Sequence, residues 1–347
     1  MKLFASAPTK LIICGEHAVV YGGRAVAVPL SIRNAVELTE LEGAPRFAFD
    51  AGQFSFEYDA NGVFSGHPLL KGAAAMLQHI FRQCNKTLDE TGALKATRHL
   101  GGAPKGTGNS ASIAAALASA TYTWLGRTLS RDELFDAVQI EENGVVGGSA
   151  SGIDARTVIA GKPQGFRKEW DSNGNTKFFF NDLDLRLPEG TALIVIDSKR
   201  GDEKPMTTGE LVAFFARNKF EKLPSEVTPE ERKAVCNEFD PVVIRVESQL
   251  RQEGDAEQLG QALSENHGLL RKYGVSSEGI EAAIATALEA GALGAKLTGA
   301  GGPAGAALAL VENEVKENVE EALGGKGFKA IPAQFDFQGI TVEEFSE

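Results

Sequence analysis

Glycine in this chain is gathered at a few places instead of being spread along it, and this constrains the fold more than any other feature. Of 39 glycines, the densest groups fall in GGAPKGTGNSAS (101–112), GVVGGSASGID (144–154) and GALGAKLTGAGGPAG (291–305). The first precedes an Ala-rich helical run, the second precedes ARTVIAG, and the third lies between a helical and a strand-like run. They recur at no fixed period, which argues against a solenoid. Glycine reaches backbone conformations closed to other residues and lets main chain approach a ligand closely. Each bend alone reads equally well as a tight connector. Three together point to one site built from several loops.

The runs between the bends mix both periodicities. Residues 3–40 read as strands around a turn, with AVAVPLSI and AVELTEL β-branched and partly alternating. RFAFDAGQFSFEY (46–58) alternates like a hairpin, and FRKEWDSNGNTKFFF reads as a hairpin turning at Asn-Gly. HPLLKGAAAMLQHIFRQC (67–84) places Leu70, Ala74, Leu77 and Phe81 on one helical face. SASIAAALASATYTW is Ala-rich and helical, and RDELFDAVQIEEN (131–143) is a helix with Asp132 and Glu133 suited to its first turn. ALIVID (192–197) reads as a buried strand, and 208–290 as mostly helical with a break at Pro224–Pro229. GAALALV (305–311) is a strand, NEVKENVEEAL a helix and the tail a last strand. The alternation follows no strict βαβ period, so the expected class is α+β, with a boundary near 165–190 and domains over 1–180 and 181–347.

Charge and cysteine use narrow the partners. A formal charge of −12 argues against nucleic acid or an anionic membrane as partner. No apolar run approaches the roughly 18 residues of a membrane span, and the first residues hold no region of signal-peptide length. Cys14, Cys84 and Cys236 lie far apart and form no zinc pattern, and so sparse a count suits a reducing compartment. The expectation is a cytoplasmic protein.

The first glycine cluster carries the clearest chemistry. Its backbone N–H groups can point into one concavity, and the helix that follows adds unpaired N–H donors and the positive end of its dipole. A polyphosphate needs this arrangement, and Lys105 adds charge. The spacing is neither GxxxxGK[ST] nor a clear GxGxxG after a strand, so neither a standard P-loop nor a Rossmann turn is indicated. Ser110 stands at the helix start, either as an N-cap or with its hydroxyl facing a hard cation such as Mg²⁺. Asp154, after the second cluster, reads in isolation as a capping or turn residue.

GEHAVVYGG after an apolar strand, the GTGNSAS core and KLTGAGG resemble the three signature motifs of the GHMP small-molecule kinases. The first of these, and SENHGLLRKYGVS (264–276), resemble the branch that phosphorylates mevalonate. The likeness runs from about residue 6 to residue 310. It implies a fold of two domains: an N-terminal one like the second domain of ribosomal protein S5, and a ferredoxin-like C-terminal one with added helices. It also implies ATP and Mg²⁺, with direct transfer to the primary hydroxyl of (R)-mevalonate.

By the same resemblance, Lys10 matches the lysine beside the reactive hydroxyl and Asp154 the general base. Lys105, Gly106, Thr107, Gly108, Asn109, Ser110 and Ala111 match the nucleotide loop. Ser110 matches the serine that reaches Mg²⁺. Glu16 and His17 match the motif that shapes the substrate pocket, with Gly299, Ala300 and Gly301 of the third motif beside it. A lysine next to an aspartate keeps the carboxylate ionised and lowers the cost of alkoxide character.

Three positions depart from the pattern. Where the family commonly has a Mg²⁺-binding Glu, this chain has Asn143, with Glu142 beside it. Glu142 shares a helical stripe with Phe135, Val138 and Val145, so it is expected to face inward and take the metal role. Asn109 replaces a serine, with an amide that can donate to phosphate. Pro303 removes one N–H from the third loop. Asn266 and His267 interrupt an apolar helix stripe and are expected to bond between helices.

Other readings stay open at this stage. One is another kinase of the superfamily, acting on phosphomevalonate, homoserine, a sugar or a different hydroxyl, with Arg33, Arg156 or Lys199 as candidate pocket cations. Another is a catalytically silent nucleotide-dependent sensor. A homodimer is also open.

Overall fold

The computed structural model describes residues 2–128, 130–146, 150–251 and 254–345. Residues 147–149 of the second glycine cluster and the side chain of Val145 lie outside the described residues.

The chain opens on β1 (Lys2–Cys14), which runs antiparallel to the long β2 (Arg24–Leu41). β3 (Arg46–Asp50) and β4 (Ser55–Asp59) form the expected hairpin, followed by β5 (Phe64–Gly66). Then come α1 (Lys71–Gln83), a single turn α2 (Leu88–Thr91), β6 (Ala93–His99), α3 (Asn109–Trp124), α4 (Arg131–Val146) and α5 (Ile153–Ala160). β7 (Gln164–Trp170) and β8 (Thr176–Asp182) make the second expected hairpin. α1 starts later than the periodicity implies, because Pro68–Leu70 form a separate 3₁₀ turn capped by His67.

These strands join one sheet in the order β13-β1-β2-β6-β3-β4-β5, with β7 and β8 continuing from the start of β2. The last member, β13 (Thr341–Phe345), comes from the far end of the chain. Helices α1, α3, α4 and α5 pack with this sheet over one core. α3 is buried almost all round, which its alanines permit, since small side chains let strands and helices approach from several sides.

The second sheet is built from β9 (Thr191–Asp197), β10 (Gly294–Thr298), β11 (Ala306–Glu312) and β12 (Lys329–Ala333), in the order β10-β11-β9-β12, all antiparallel. α10 (Lys316–Gly325) connects β11 to β12. This is the ferredoxin-like order, with α6 (Thr208–Phe220), α7 (Pro229–Gln249), α8 (Ala256–Lys272) and α9 (Glu278–Glu289) between its first two strands. The α+β class and the added helices are as expected. Thr207 with Glu210 and Thr228 with Glu231 cap α6 and α7, and Pro229 opens α7 where its missing N–H costs nothing.

The tail differs from the single strand expected. β12 stays in the second sheet, and Asp336 Oδ1 accepts from the N–H groups of Gln338 and Gly339 to turn the chain so that β13 joins β1. The two sheets also share apolar contacts: Leu11, Ile13, Val26 and Val28 of the first pack with Leu193, Val195, Leu308 and Leu310 of the second. No helix among the described residues is long and apolar enough to cross a membrane.

Candidate active site

The end of β1, the loop into α3 and the start of α5 meet at one place. Lys10 Nζ lies 3.0 Å from Asp154 Oδ1, with the lysine side chain 4% and the aspartate 29% exposed. The same Nζ donates to the carbonyl of Gly106 at 3.3 Å, and the Lys10 N–H donates to Thr107 O at 2.9 Å. Gly108, at φ 69°, is the N-terminal flank of α3. A Cβ there would stand 2.7 Å from Lys10 Cγ, so only glycine lets the lysine stem pass against this backbone.

The loop 101–110 is held by its own side chains. Thr107 Oγ1 donates to Pro104 O at 2.7 Å. Asn109 Nδ2 donates to Ala103 O and Pro104 O, and its Oδ1 accepts from Asn34 Nδ2. The Asn109 amide is therefore engaged in shaping the loop, and only its backbone N–H is left for a phosphate. That corrects the expected donation by the side chain. Ala111 is fully buried in α3, and Lys105 reaches across to Met206 O at 3.5 Å.

Ser110 Oγ donates to Glu142 Oε1 at 2.7 Å. Burial first, and then the nearby Asp154 carboxylate, raise the Glu142 carboxyl above its ordinary range. Among the described residues no lysine or arginine forms a salt bridge with it. An inward carboxylate of this kind beside a hydroxyl fits a cation. Asn143 turns elsewhere: its Oδ1 accepts from the Ala150 N–H at 2.8 Å and so fixes the chain entering α5. No group of three His, Cys, Asp or Glu side chains that could hold a metal ion gathers among the described residues.

The third glycine loop closes the other side. Gly299, at φ 71°, faces Gly106, whose carbonyl oxygen would lie 3.4 Å from an added Cβ. Glu16 and His17 are nearly wholly buried, at 1% and 5% exposure. Glu16 Oε1 accepts from Lys296 Nζ at 2.5 Å, and His17 Nε2 lies 2.9 Å from Ala300 O. Burial pushes the His17 imidazolium down to about 4, against the smaller opposing effect of its bond to Ala300. Burial raises the Glu16 carboxyl, and Lys296 opposes that. Glu16 Oε2 and His17 Nδ1 have no hydrogen-bond partner among the described residues.

The sequence reading did not single out Lys296. A lysine inside the apolar run GAKLT is a usable signal, because a charged side chain within a buried strand requires a partner. Of the other candidate cations, Arg33 bonds Ser6, Gly339 and Asp336 and so ties β2 to the tail. Arg156 pairs with Asp132 and lies over the Phe135 and Phe180 rings. Lys199 is exposed. His267 does act between elements, with Nε2 3.0 Å from Glu281 Oε1 on α9 and Nδ1 accepting from Leu297 N–H on β10. Asn266 is buried with both amide atoms lacking a partner among the described residues, so the bonding expected of it is not seen.

Comparison with known proteins gives the family. Residues 72–162 match the GHMP kinases N terminal domain, and residues 246–329 match GHMP kinases C terminal. A curated mevalonate kinase of Pyrococcus furiosus is 31% identical over 356 aligned residues, covering 99% of both chains. The crystal structure of the Methanococcus jannaschii mevalonate kinase superposes with a TM-score of 0.76 at 20% identity, covering 96% of this chain and 98% of that one. The L. major mevalonate kinase in complex with R-mevalonate superposes at 0.73 with 22% identity, covering 95% of each chain.

Proposed function

This chain belongs to the GHMP kinase family, and from that premise we propose that it transfers the γ-phosphoryl of ATP to the primary hydroxyl of (R)-mevalonate, giving 5-phosphomevalonate. The observation that carries the reading is the Lys10–Asp154 pair beside the glycine loop that opens α3.

Asp154 accepts the proton of the attacking hydroxyl. The substrate oxygen bonds to the γ-phosphorus as the bond from phosphorus to the β–γ bridging oxygen breaks, and ADP leaves with that electron pair. Lys10 is the neighbouring cation that steadies charge on the oxygen as its proton moves. The triphosphate lies against the backbone N–H groups of 106–110 and the first turn of α3, where donors and dipole favour anions. Ser110 and Glu142 would hold Mg²⁺, whose chemistry is to neutralise charge across the phosphates.

Glu16, His17 and Gly299–Gly301 bound the substrate side. Of the three candidate cations for a phosphorylated acceptor, Arg33 and Arg156 are engaged elsewhere and Lys199 alone is left, which favours an unphosphorylated acceptor. The silent-sensor reading loses its foothold, since Asn143 has a structural task and Glu142 stands beside Ser110.

The test is ADP release with (R)-mevalonate, with and without Mg²⁺, and NMR of the product. A Mg²⁺-dependent 5-phosphate is expected. Turnover of phosphomevalonate, homoserine or a sugar in preference to mevalonate would overturn the substrate assignment.

A further inference from the structure

Four residues of α4 meet the chain that enters and forms α5, and they do so in order. Asn143 Oδ1 accepts from the Ala150 N–H at 2.8 Å, and Gln139 Nε2 donates to Ala150 O at 2.8 Å. The Phe135 ring is what a Cβ on Gly152 would meet first, at 2.9 Å, and the Arg156 guanidinium lies over the same ring at 5.4 Å. Asp132 Oδ1 accepts from Arg156 at 2.8 Å. Positions 132, 135, 139 and 143 are three or four residues apart, so they form one stripe along the helix. The stripe runs down α4 from 143 to 132 while its partners run up from 150 to 156, and Asp154 lies within that span.

The stripe supplies what the entering segment lacks. Ala150 has no backbone hydrogen-bond partner among the described residues, so the two amide side chains satisfy both of its polar groups. Gly152, at φ 79°, turns straight into α5 with no side-chain cap bond. α5 itself has eight residues, fewer than the roughly 12–15 that a helix needs to be more than marginal alone. Where it begins is therefore decided by what holds it.

The two ends of the stripe differ in weight. The Asp132 side chain is 82% exposed, and an ion pair so open to water contributes little. Gln139 and Asn143 instead bond backbone in a part-buried place. α4 also carries Glu142, whose Oε1 accepts from Ser110. Successive helical residues point about 100° apart, so Glu142 turns to Ser110 while Asn143 turns to Ala150. One helix thus bears the proposed cation ligand directly and steers the base at one remove.

We infer that Gln139 and Asn143 are positioning residues for phosphoryl transfer: by gripping both backbone groups of Ala150 they fix where α5 begins, and so set Asp154 against Lys10 and against Glu142. The inference rests on the reading of Asp154 as the base and deepens it. A loosened grip shifts the carboxylate and slows proton transfer. It leaves both substrate KM values in place, and it leaves the Mg²⁺ requirement in place because Glu142 stays on α4.

The experiment uses Gln139→Met and Asn143→Leu in the full chain, each also combined with Asp154→Asn. Asn143→Asp, which keeps the accepting oxygen, is the conservative rescue. Val319→Ala, in the second-sheet core on α10, controls for general loss of stability. Kinetics with ATP and mevalonate give kcat, both KM values and the half-saturating Mg²⁺ concentration, and hydrogen exchange of the ligand-free protein follows amides 150–156. In each single variant kcat is expected to fall about tenfold to a hundredfold, the size a small misplacement produces. Both KM values and the Mg²⁺ requirement stay unchanged, and exchange at 150–156 becomes faster. Asn143→Asp restores kcat and exchange, and Val319→Ala moves neither. In the Asp154→Asn background the same substitutions cost nothing further, because they act through the base. A further tenfold loss in that background, or a fall in kcat that comes with raised KM values, overturns the inference. Unchanged kcat or unchanged exchange overturns it as well. Should Asn143→Leu fail to fold, Gln139→Met decides. If Asp154→Asn alone keeps near-normal turnover, the reading of Asp154 as the base fails, while exchange at 150–156 still tests whether the grip holds α5.

Discussion

The Lys10 ammonium is buried against Asp154 at 3.0 Å while the aspartate side chain remains 29% exposed, so the pair presents only its carboxylate outward. General-base catalysis is typically worth about 10²–10⁴ in rate. Asp154→Asn keeps the shape and removes the proton acceptor. Its kcat is expected to fall by about that factor, with the ATP dissociation constant unchanged by equilibrium titration. Near-normal turnover in Asp154→Asn would remove the residue as the base.

Gly108 and Gly106 separate two kinds of glycine requirement. Both have positive φ, but an added Cβ at Gly108 runs into the Lys10 stem at 2.7 Å, whereas at Gly106 it meets open space. Gly106→Ala meets no protein atom and bears backbone strain of roughly 1–2 kcal/mol, with any further effect falling on the ATP KM because the phosphates are proposed to lie there. Gly108→Ala bears that strain and displaces the lysine. The expected outcome is a much larger loss of kcat in Gly108→Ala at comparable melting temperatures. Equal activity in the two variants would show that the lysine position is not critical.

The metal assignment separates Glu142 from its neighbour. Glu142→Gln keeps an acceptor for Ser110 but loses the charge, so the Mg²⁺ concentration giving half-maximal rate is expected to rise about tenfold or more, the worth of one charged ligand contact. Asn143→Asp keeps the oxygen that accepts from Ala150 N–H, so its Mg²⁺ titration is expected to match the unaltered chain. A Mg²⁺ dependence that moves in Asn143→Asp and not in Glu142→Gln would reverse the assignment.

Much of this was legible because the relevant signals are local. Glycine bends, alternation and the acidic first turn at Asp132 and Glu133 report on nearby backbone, and the motif likeness pointed to Lys10, Ser110 and Asp154, which the fold brings close together. What the sequence hid depends on which distant residues meet. Nothing near Phe215 marks it as a platform for His17, and the fate of the Asn109 amide depends on how far the chain from Ala103 to Pro104 folds back. The tail reads as one strand because both halves carry β-branched or aromatic residues, and its division between two sheets follows from the Asp336 turn and the Arg33 contact. Glu142 was identifiable from the helical stripe because an inward carboxylate needs a partner, and Ser110 supplies one.

Acid sensitivity follows from His17. Its ordinary value of 6.5 falls to about 4 in the folded chain, chiefly through burial. Between those values the unfolded chain carries a proton at this residue that the folded chain does not. Stability therefore falls as pH drops from 6.5 towards 4, by at most about 3 kcal/mol, and changes no further below the folded value. The buried Glu16 carboxyl acts in the opposite sense: raised in the folded chain, it takes up its proton before the unfolded chain does and favours folding on acidification. Glu141 and Glu142 are raised likewise and His267 is lowered, so the net profile mixes several groups and the difference between the unaltered chain and His17→Asn isolates this histidine. Urea midpoints measured from about pH 7.5 to about pH 5 are expected to fall more steeply in the unaltered chain than in the variant. Parallel profiles would mean that His17 titrates alike in the folded and unfolded chains, and that its imidazole is not shut away from water between Phe215 and Ala300.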